Sequence, residues 1–378
     1  MDWLINTVYY VVPFIVLLGI LVFVHEFGHF IIARILGVQV AEFSIGFGKT
    51  LWSRKDKKET LWKISAVPLG GYCKFLGDDD ATSSTTDGEA ASKLSEEQLK
   101  KAFFKQNPFK KLAIVLAGPG ANYIFAVLVF ASVFFFFGRV NFPPVVGDVM
   151  KGSAAEEAGI MRNDRILKIN GNDINSFSDI SKEVELHVNE AMVVEIKRGE
   201  TDVTLKFPLK PVELLKEDGT FEQKTMLGVQ SLNVVEVEKE GLSLYQSFKF
   251  AALETWDITM TTLRGVGQII TGKRSSGELG GVIRIAEMSG DISKQRGFID
   301  FVIFTALLSI NLGLINLFPI PLLDGGHVVI YVVEIATRRE VNDRIKEFLF
   351  RLGFAFIIFL MVFATWNDVV RLFNRWFA

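Results

Sequence analysis

The sequence predicts an α-helical polytopic membrane protein of about four transmembrane helices, with an inserted α+β domain and a membrane-associated β-hairpin. Three observations predict it. The 378 residues are 49% hydrophobic, 34 of them Phe, with a mean hydropathy of +0.32. Apolar runs long enough to span a bilayer occur in four places. Between the second and third runs the pattern changes to short alternating strands and glycine turns. The length allows two or three folding units. A net charge of −2 gives no case for a nucleic-acid partner.

The first span is expected from about Val8 to Ala33. Its opening seventeen residues, Val8 to Val24, are uncharged and lead straight into His25-Glu26-Phe27-Gly28-His29. His-Glu-x-x-His on a helix places two imidazoles one turn apart on one face, where both can bind one metal. Glu26 is offset from that face and placed to take a proton from water activated by the metal. Ionisable groups at bilayer depth are costly and mark function. Of the four histidines in the chain, two are in this motif. Asp2, in place of a basic n-region, argues against reading the N-terminus as a signal peptide.

The loop from Arg34 to Lys111 is rich in Lys and Arg, as is the connection carrying Arg338, Arg339, Arg344 and Lys346. Both belong inside, which puts the termini and about 138–300 outside and the His-Glu motif in the inner half of the membrane. Within the loop, Leu61 to Phe75 reads as a strand, a Pro/Gly turn and a second strand. Residues 78–92 read as a polar linker and Ser95 to Lys105 as an amphipathic helix. Cys73 is the single cysteine, so no intramolecular disulfide is expected, and an inert small residue is its simplest reading. The second span, Leu112 to Phe137, is interrupted by Gly118-Pro119-Gly120 and Asn122.

The inserted domain is expected over 140–211. Gly152 to Ile160 reads as a loop and short helix, and Asn163 to Gly171 as a turn, a strand and an Asn-Gly hairpin signal. Ser178 to Asn189 reads as a helix, and Met192–Lys197 with Asp202–Phe207 as a further hairpin. This order resembles a PDZ domain of the bacterial kind, a fold that binds peptide ends. His187 reads as a surface residue of it. Residues 212–300 follow as a linker with amphipathic helices on the outer membrane face.

The third span, Phe301 to Ile335, carries Asn316, Pro319, Pro321 and Asp324; the fourth runs from about Phe348 to Val370. A hydrolytic zinc site takes three protein ligands and leaves a position for water. With His25 and His29 in place, Asp324 is the candidate third ligand. Prolines 319 and 321 would free backbone groups there, which a membrane tolerates only around a covered or water-lined cavity. His327, close to Asp324 but at no motif position, reads as structural or as a partner behind the metal ligands.

Together, His25-Glu26-x-x-His29, Asn316-x-x-Pro319-x-Pro321-x-Leu323-Asp324-Gly325 and the domain between them resemble the site-2 protease family of intramembrane zinc metalloproteases. Four spans with the PDZ domain outside look like the bacterial regulator-of-sigma-E protease branch, and the resemblance covers nearly the whole chain. Its best-known members carry two tandem PDZ domains, where this chain shows one. The resemblance implies zinc on His25, His29 and Asp324, with Glu26 as general base and then proton donor. It implies that Asn316 orients substrate and that Gly70, Gly71 and Tyr72 of a membrane-associated β-loop hold the unwound substrate. The division implied is 1–139 and 301–378 as transmembrane halves around the inserted segment, in the bacterial inner membrane with the PDZ outside. Expected substrates are single-span proteins in the lipid bilayer, an anti-sigma factor or signal-peptide remnants, already trimmed externally. A silent scaffold would have no need of Glu26, and a metal transporter would need more ligands across its spans.

Overall fold

The computed structural model describes residues 2–77, 94–187, 191–209, 211–215, 221–232, 236–238, 242–272, 277 and 280–377. The linker expected over 78–92 lies outside them. Two compact units emerge, one formed by 1–130, 251–255 and 280–368, the other by 131–250, 256–279 and 369–378.

In the first unit, α1 (Asp2–Ile35) and α2 (Glu96–Lys101) flank two long strands, and α3 (Pro108–Phe137) follows. Asn107 caps α3 through its side chain to the Lys110 N–H (2.9 Å), with Pro108 at the first helical position. Strand β1 (Val40–Lys55) pairs antiparallel with β2 (Leu61–Phe75). The hairpin expected inside 61–75 is therefore corrected: that segment is one strand, and its partner is β1. Both strands bend, however, so residues 42–45 pair with 61–64 on one side and with 71–74 on the other. The Pro/Gly turn foreseen at 68–71 is the bend in β2. Val40, Phe43, Cys73 and Phe75 are buried here against Phe30 and Phe103. Arg34, at the end of α1, forms an ion pair with Asp56 in the β1–β2 turn, and Trp62 donates to the same carboxylate at 3.2 Å. The sheet is thereby tied to the helix that carries the His-Glu motif.

The third span breaks at its prolines, as their chemistry predicts: α8 (Phe298–Asn316) stops before Pro319 and Pro321, and a separate helix, α9 (Asp324–Thr337), begins at Asp324, so the stretch 301–335 is two helices. Prolines without N–H groups, each also disfavouring helix in the residue before it, end α8 there. Before α8 come α6 (Leu244–Ile270) and α7 (Val282–Gln295), and α10 (Asp343–Phe377) ends the chain. Four helical stretches among the described residues are long and apolar enough to cross a membrane: Tyr9–Ile35, Pro108–Phe137, Phe298–Asn316 and Asp343–Phe373. Their outer faces carry exposed Val12, Val16, Ile124, Leu128, Phe359 and Val362, a surface suited to lipid rather than water.

The second unit contains β3 (Arg139–Asn141), β4 (Val146–Val149) and an α+β body with four further strands, β5 (Arg165–Ile169), β6 (Asn172–Asp173), β7 (Ala191–Arg198) and β8 (Thr201–Pro208). The sheet order of these four is β6-β5-β7-β8. Asn170 and Gly171 both have positive φ, 51° and 85°, which makes the β5–β6 connection the two-residue turn that the Asn-Gly pair predicts. Helices α4 (Ala154–Glu157) and α5 (Phe177–Leu186) pack Ala155, Ile180 and Val184 onto Ile166, Met192, Val194 and Ile196. The chain beyond 211 returns to this core: Leu227 is buried in it, and Val229–Ser231 pairs with Val146–Val149.

Candidate active site

Near its C-terminal end, α1 presents His25, Glu26 and His29, and α3 lies directly against it. A Cβ added at Gly28 would strike the Ala117 carbonyl, and one at Gly118 would strike the His29 ring. Backbone therefore meets backbone or imidazole at both points, with no room for a side chain. A helical side chain leans toward the preceding turn, so a residue larger than glycine at 118 would cover the Ile114 carbonyl. With Gly118 bare, His29 Nδ1 reaches that carbonyl at 2.8 Å. A carbonyl only accepts, so Nδ1 carries the proton and Nε2 keeps its lone pair. His25 Nδ1 lies 3.1 Å from the side-chain amide of Asn122.

Asp324 enters from the first turn of α9. His25 Nε2 lies 3.2 Å from its Oδ2, His29 Nε2 lies 3.5 Å from its Oδ1, and the two Nε2 atoms are 3.4 Å apart. Metal–ligand bonds of about 2.0–2.1 Å in a tetrahedron give ligand–ligand edges of roughly 3.3–3.4 Å. The donor set has that size. Asp324 Oδ2 is also buried without a hydrogen-bond donor aligned on it, despite the nearby imidazole. Two imidazoles and a carboxylate converging in this way fit a zinc ion better than a hydrogen-bonded network.

Glu26 faces β2. Its carboxylate takes a hydrogen bond from the Cys73 backbone. A Cβ at Gly71 would sit 2.6 Å from both Val22 Cγ1 and the Ser44 carbonyl and 3.4 Å from Glu26 Cγ, so only glycine lets the strand pass this close. A cavity of about 190 Å³ opens over the cluster, lined by His25, Glu26, His29, Asp324, Gly71, Tyr72 and Asn316 among others. Asn316 makes no side-chain hydrogen bond among the described residues. Gly70 lies outside the lining, at φ 112° beside the Phe47 ring. Tyr72 donates through its hydroxyl to Glu42 at 3.1 Å, and Lys63 reaches the same oxygen at 2.6 Å. Burial pushes the Glu42 carboxyl up, but these two donors outweigh it and hold Glu42 below the usual carboxylate range.

The structure thus brings His25, Glu26, His29, Asp324, Asn316, Gly71 and Tyr72 to one cavity. His327 also lines it, stacked on Tyr331 and set against the tilted ring of Phe350 (ring centroids 6.1 and 5.1 Å away). Sequence reasoning missed three contributions from α3: the Ile114 carbonyl, Gly118 and Asn122. A spacing of four along a helix puts all three on one face, and that spacing was the available signal.

Residues 13–360 match the family model described as Peptidase family M50. Three bacterial relatives, each named "putative zinc metalloprotease", align over nearly their full lengths. The Rhizobium meliloti protein is 38% identical over 378 residues, 99% of this chain and 100% of its own. That of Agrobacterium fabrum is 37% identical, covering 96% of each chain. The Rickettsia conorii protein is 37% identical over 96% of this chain and 99% of its own. The chain belongs to peptidase family M50, the site-2 protease family, and is a membrane zinc metalloprotease.

Proposed function

We propose that this chain hydrolyses peptide bonds within transmembrane segments of single-span membrane proteins, with His25, His29 and Asp324 holding zinc and Glu26 moving the proton. The observation that carries the reading is the convergence of those three donors, from helices about 300 residues apart in sequence, beside Glu26 in a cavity inside the membrane-spanning unit. Zinc bound there supplies Lewis acidity toward water and the scissile carbonyl. Glu26 accepts the proton of the attacking water and returns it to the leaving amide nitrogen. Asn316, with its amide uncommitted, orients the substrate backbone. Strand β2 offers its 70–73 segment beside Glu26, and an unwound substrate adds there as a further strand. Unwinding is needed because a helical peptide bond is shielded by its own hydrogen bonds, and a cavity this size takes extended chain rather than a helix about 10–12 Å wide.

The lysine and arginine distribution supports an inner-membrane orientation with the site toward the cytoplasm and the α+β body, read as a single PDZ domain, outside. In that position the body binds exposed peptide ends or excludes untrimmed substrates. Anti-sigma factors and remnant signal peptides are substrates of that kind.

Two variants of the purified protein test the site. Glu26→Gln should keep close to one zinc per chain and lose cleavage of a transmembrane model substrate by at least about 100-fold. Asp324→Ala should lose zinc as well as activity. Normal turnover by the first, or full zinc in dialysed samples of the second, would remove the assignment.

A further inference from the structure

The interruption Gly118-Pro119-Gly120-Ala121-Asn122 in an otherwise apolar span has a chemical reason at its last residue. Asn122 is fully buried, and its side-chain amide lies 3.1 Å from Nδ1 of His25. Its neighbours on α3 have their own tasks. Ile114, two turns earlier on the same face, takes the Nδ1–H of His29, and Gly118 between them leaves space for that ring.

A neutral imidazole has one proton for two nitrogens. If His25 is to offer Nε2 to a metal, the proton must be on Nδ1, and whatever faces Nδ1 must accept it. The Asn122 amide can meet either need. With Nδ2 turned to His25, Nδ1 accepts, the proton is on Nε2, and Nε2–H points at His29 Nε2 3.4 Å away. In that orientation Asn122 Oδ1 is buried with no donor. Turning the amide over places Oδ1 on Nδ1–H and frees the Nε2 lone pair to join His29 and Asp324. The backbone around the amide is held meanwhile: the Asn122 carbonyl accepts from Ser309 Oγ at 3.0 Å, and Gly313 packs so closely that a Cβ there would lie 3.2 Å from the Asn122 Cβ.

We propose that Asn122 is a positioning residue for zinc, its Oδ1 accepting the Nδ1–H of His25 so that one face of α3, through the Ile114 carbonyl and Asn122, sets the ring orientation and tautomer of both histidines. The proposal rests on His25 and His29 being zinc ligands. Partners of this kind change metal affinity by about 10–100-fold when removed.

The test is zinc affinity, read by chelator competition on the purified full-length protein in detergent. Asn122→Leu, close in size but without an acceptor, should weaken zinc by about 10–100-fold. Asn122→Asp, which only accepts when ionised, should stay within about threefold of the parent. In a His25→Ala background the same Asn122→Leu change should alter the residual affinity by less than about twofold, because its target is gone. An unchanged affinity in Asn122→Leu, or an equal loss in the His25→Ala background, would overturn the proposal. So would an Asn122→Asp protein as weak as Asn122→Leu, a comparison that Asn122→Asp against the parent still decides if the leucine variant does not fold. Full zinc affinity in His25→Ala alone would instead remove the ligand assignment beneath it, so the two failures are distinguishable.

Discussion

Gly118 shows how much of this site depends on an absent side chain. His29 reaches the Ile114 carbonyl only because nothing projects from residue 118, and a methyl there would overlap the imidazole. Gly118→Ala is therefore expected to lower zinc affinity by about 10–100-fold, the range for losing an outer-shell partner, while the helix itself gains propensity. Zinc titration against thermal unfolding separates the two effects: the variant should bind worse without unfolding earlier in the metal-free state. His25, Glu26, His29 and Asp324 were legible at the residue scale because their chemistry is rare in apolar sequence. Gly118 was visible only as an irregularity, since its role belongs to a neighbour 89 residues away.

At the scale of elements, the segment between α8 and α9 decides where Asp324 stands. Leu322 is held at φ 91°, a conformation that costs a non-glycine residue about 1–3 kcal/mol and persists only when its surroundings enforce it. Part of that enforcement comes from α10, where a Cβ at Gly353 would collide with the Pro321 carbonyl. Gly353→Val should push this segment away from α10, destabilise the protein by about 1–3 kcal/mol and reduce zinc occupancy together with cleavage. Metal analysis of the purified variant checks it, and full occupancy would show that Asp324 is positioned without this contact. The prolines announced a break in the third span, but not that Asp324 would begin a separate helix. In the same way, the sequence of β2 announced a turn and a hairpin of its own, and not the pairing with β1, because strand pairing is settled by segments distant in the chain.

For the whole molecule, the α+β body has its own electrostatic anchor. Arg198 grips Asp164 through two hydrogen bonds of 2.9 and 2.7 Å and also donates to the Gly159 carbonyl at 2.7 Å. Burial pushes the Asp164 carboxyl up, yet the Arg198 guanidinium and the Met161 N–H outweigh it and hold the group below the usual carboxylate range. A depressed folded pKa means that this contribution is complete above the unfolded value of about 3.9 and is lost as pH falls through the folded value. Asp164→Asn should cost about 1–3 kcal/mol at pH 7, with the gap to the parent closing below about pH 4. Limited proteolysis of the body in the intact protein, followed in urea at several pH values, measures it. Orientation is a separate prediction. With Cys73 replaced by Ser, a cysteine at exposed Lys57 should react with an impermeant reagent only from the cytoplasmic side, and one at exposed Asn172 only from the other. The reverse pattern would invert the proposed topology.

The sequence by itself determined the membrane class, the four apolar helices, the alternation that builds β5 to β8, and the four residues to which we assign the zinc-hydrolase chemistry. Those features depend on composition, on short-range periodicity and on residue types seldom tolerated in lipid, all of which are local properties of a chain. Only the tertiary structure decided that Leu61–Phe75 pairs with Val40–Lys55, that Leu227 and Val229 complete the core of the α+β body, and that α3 serves both histidines. Each of these depends on which backbone groups and glycine surfaces meet across long sequence separations. A carbonyl at 114 or an amide at 122 has no distinguishing chemistry until an imidazole is packed against it.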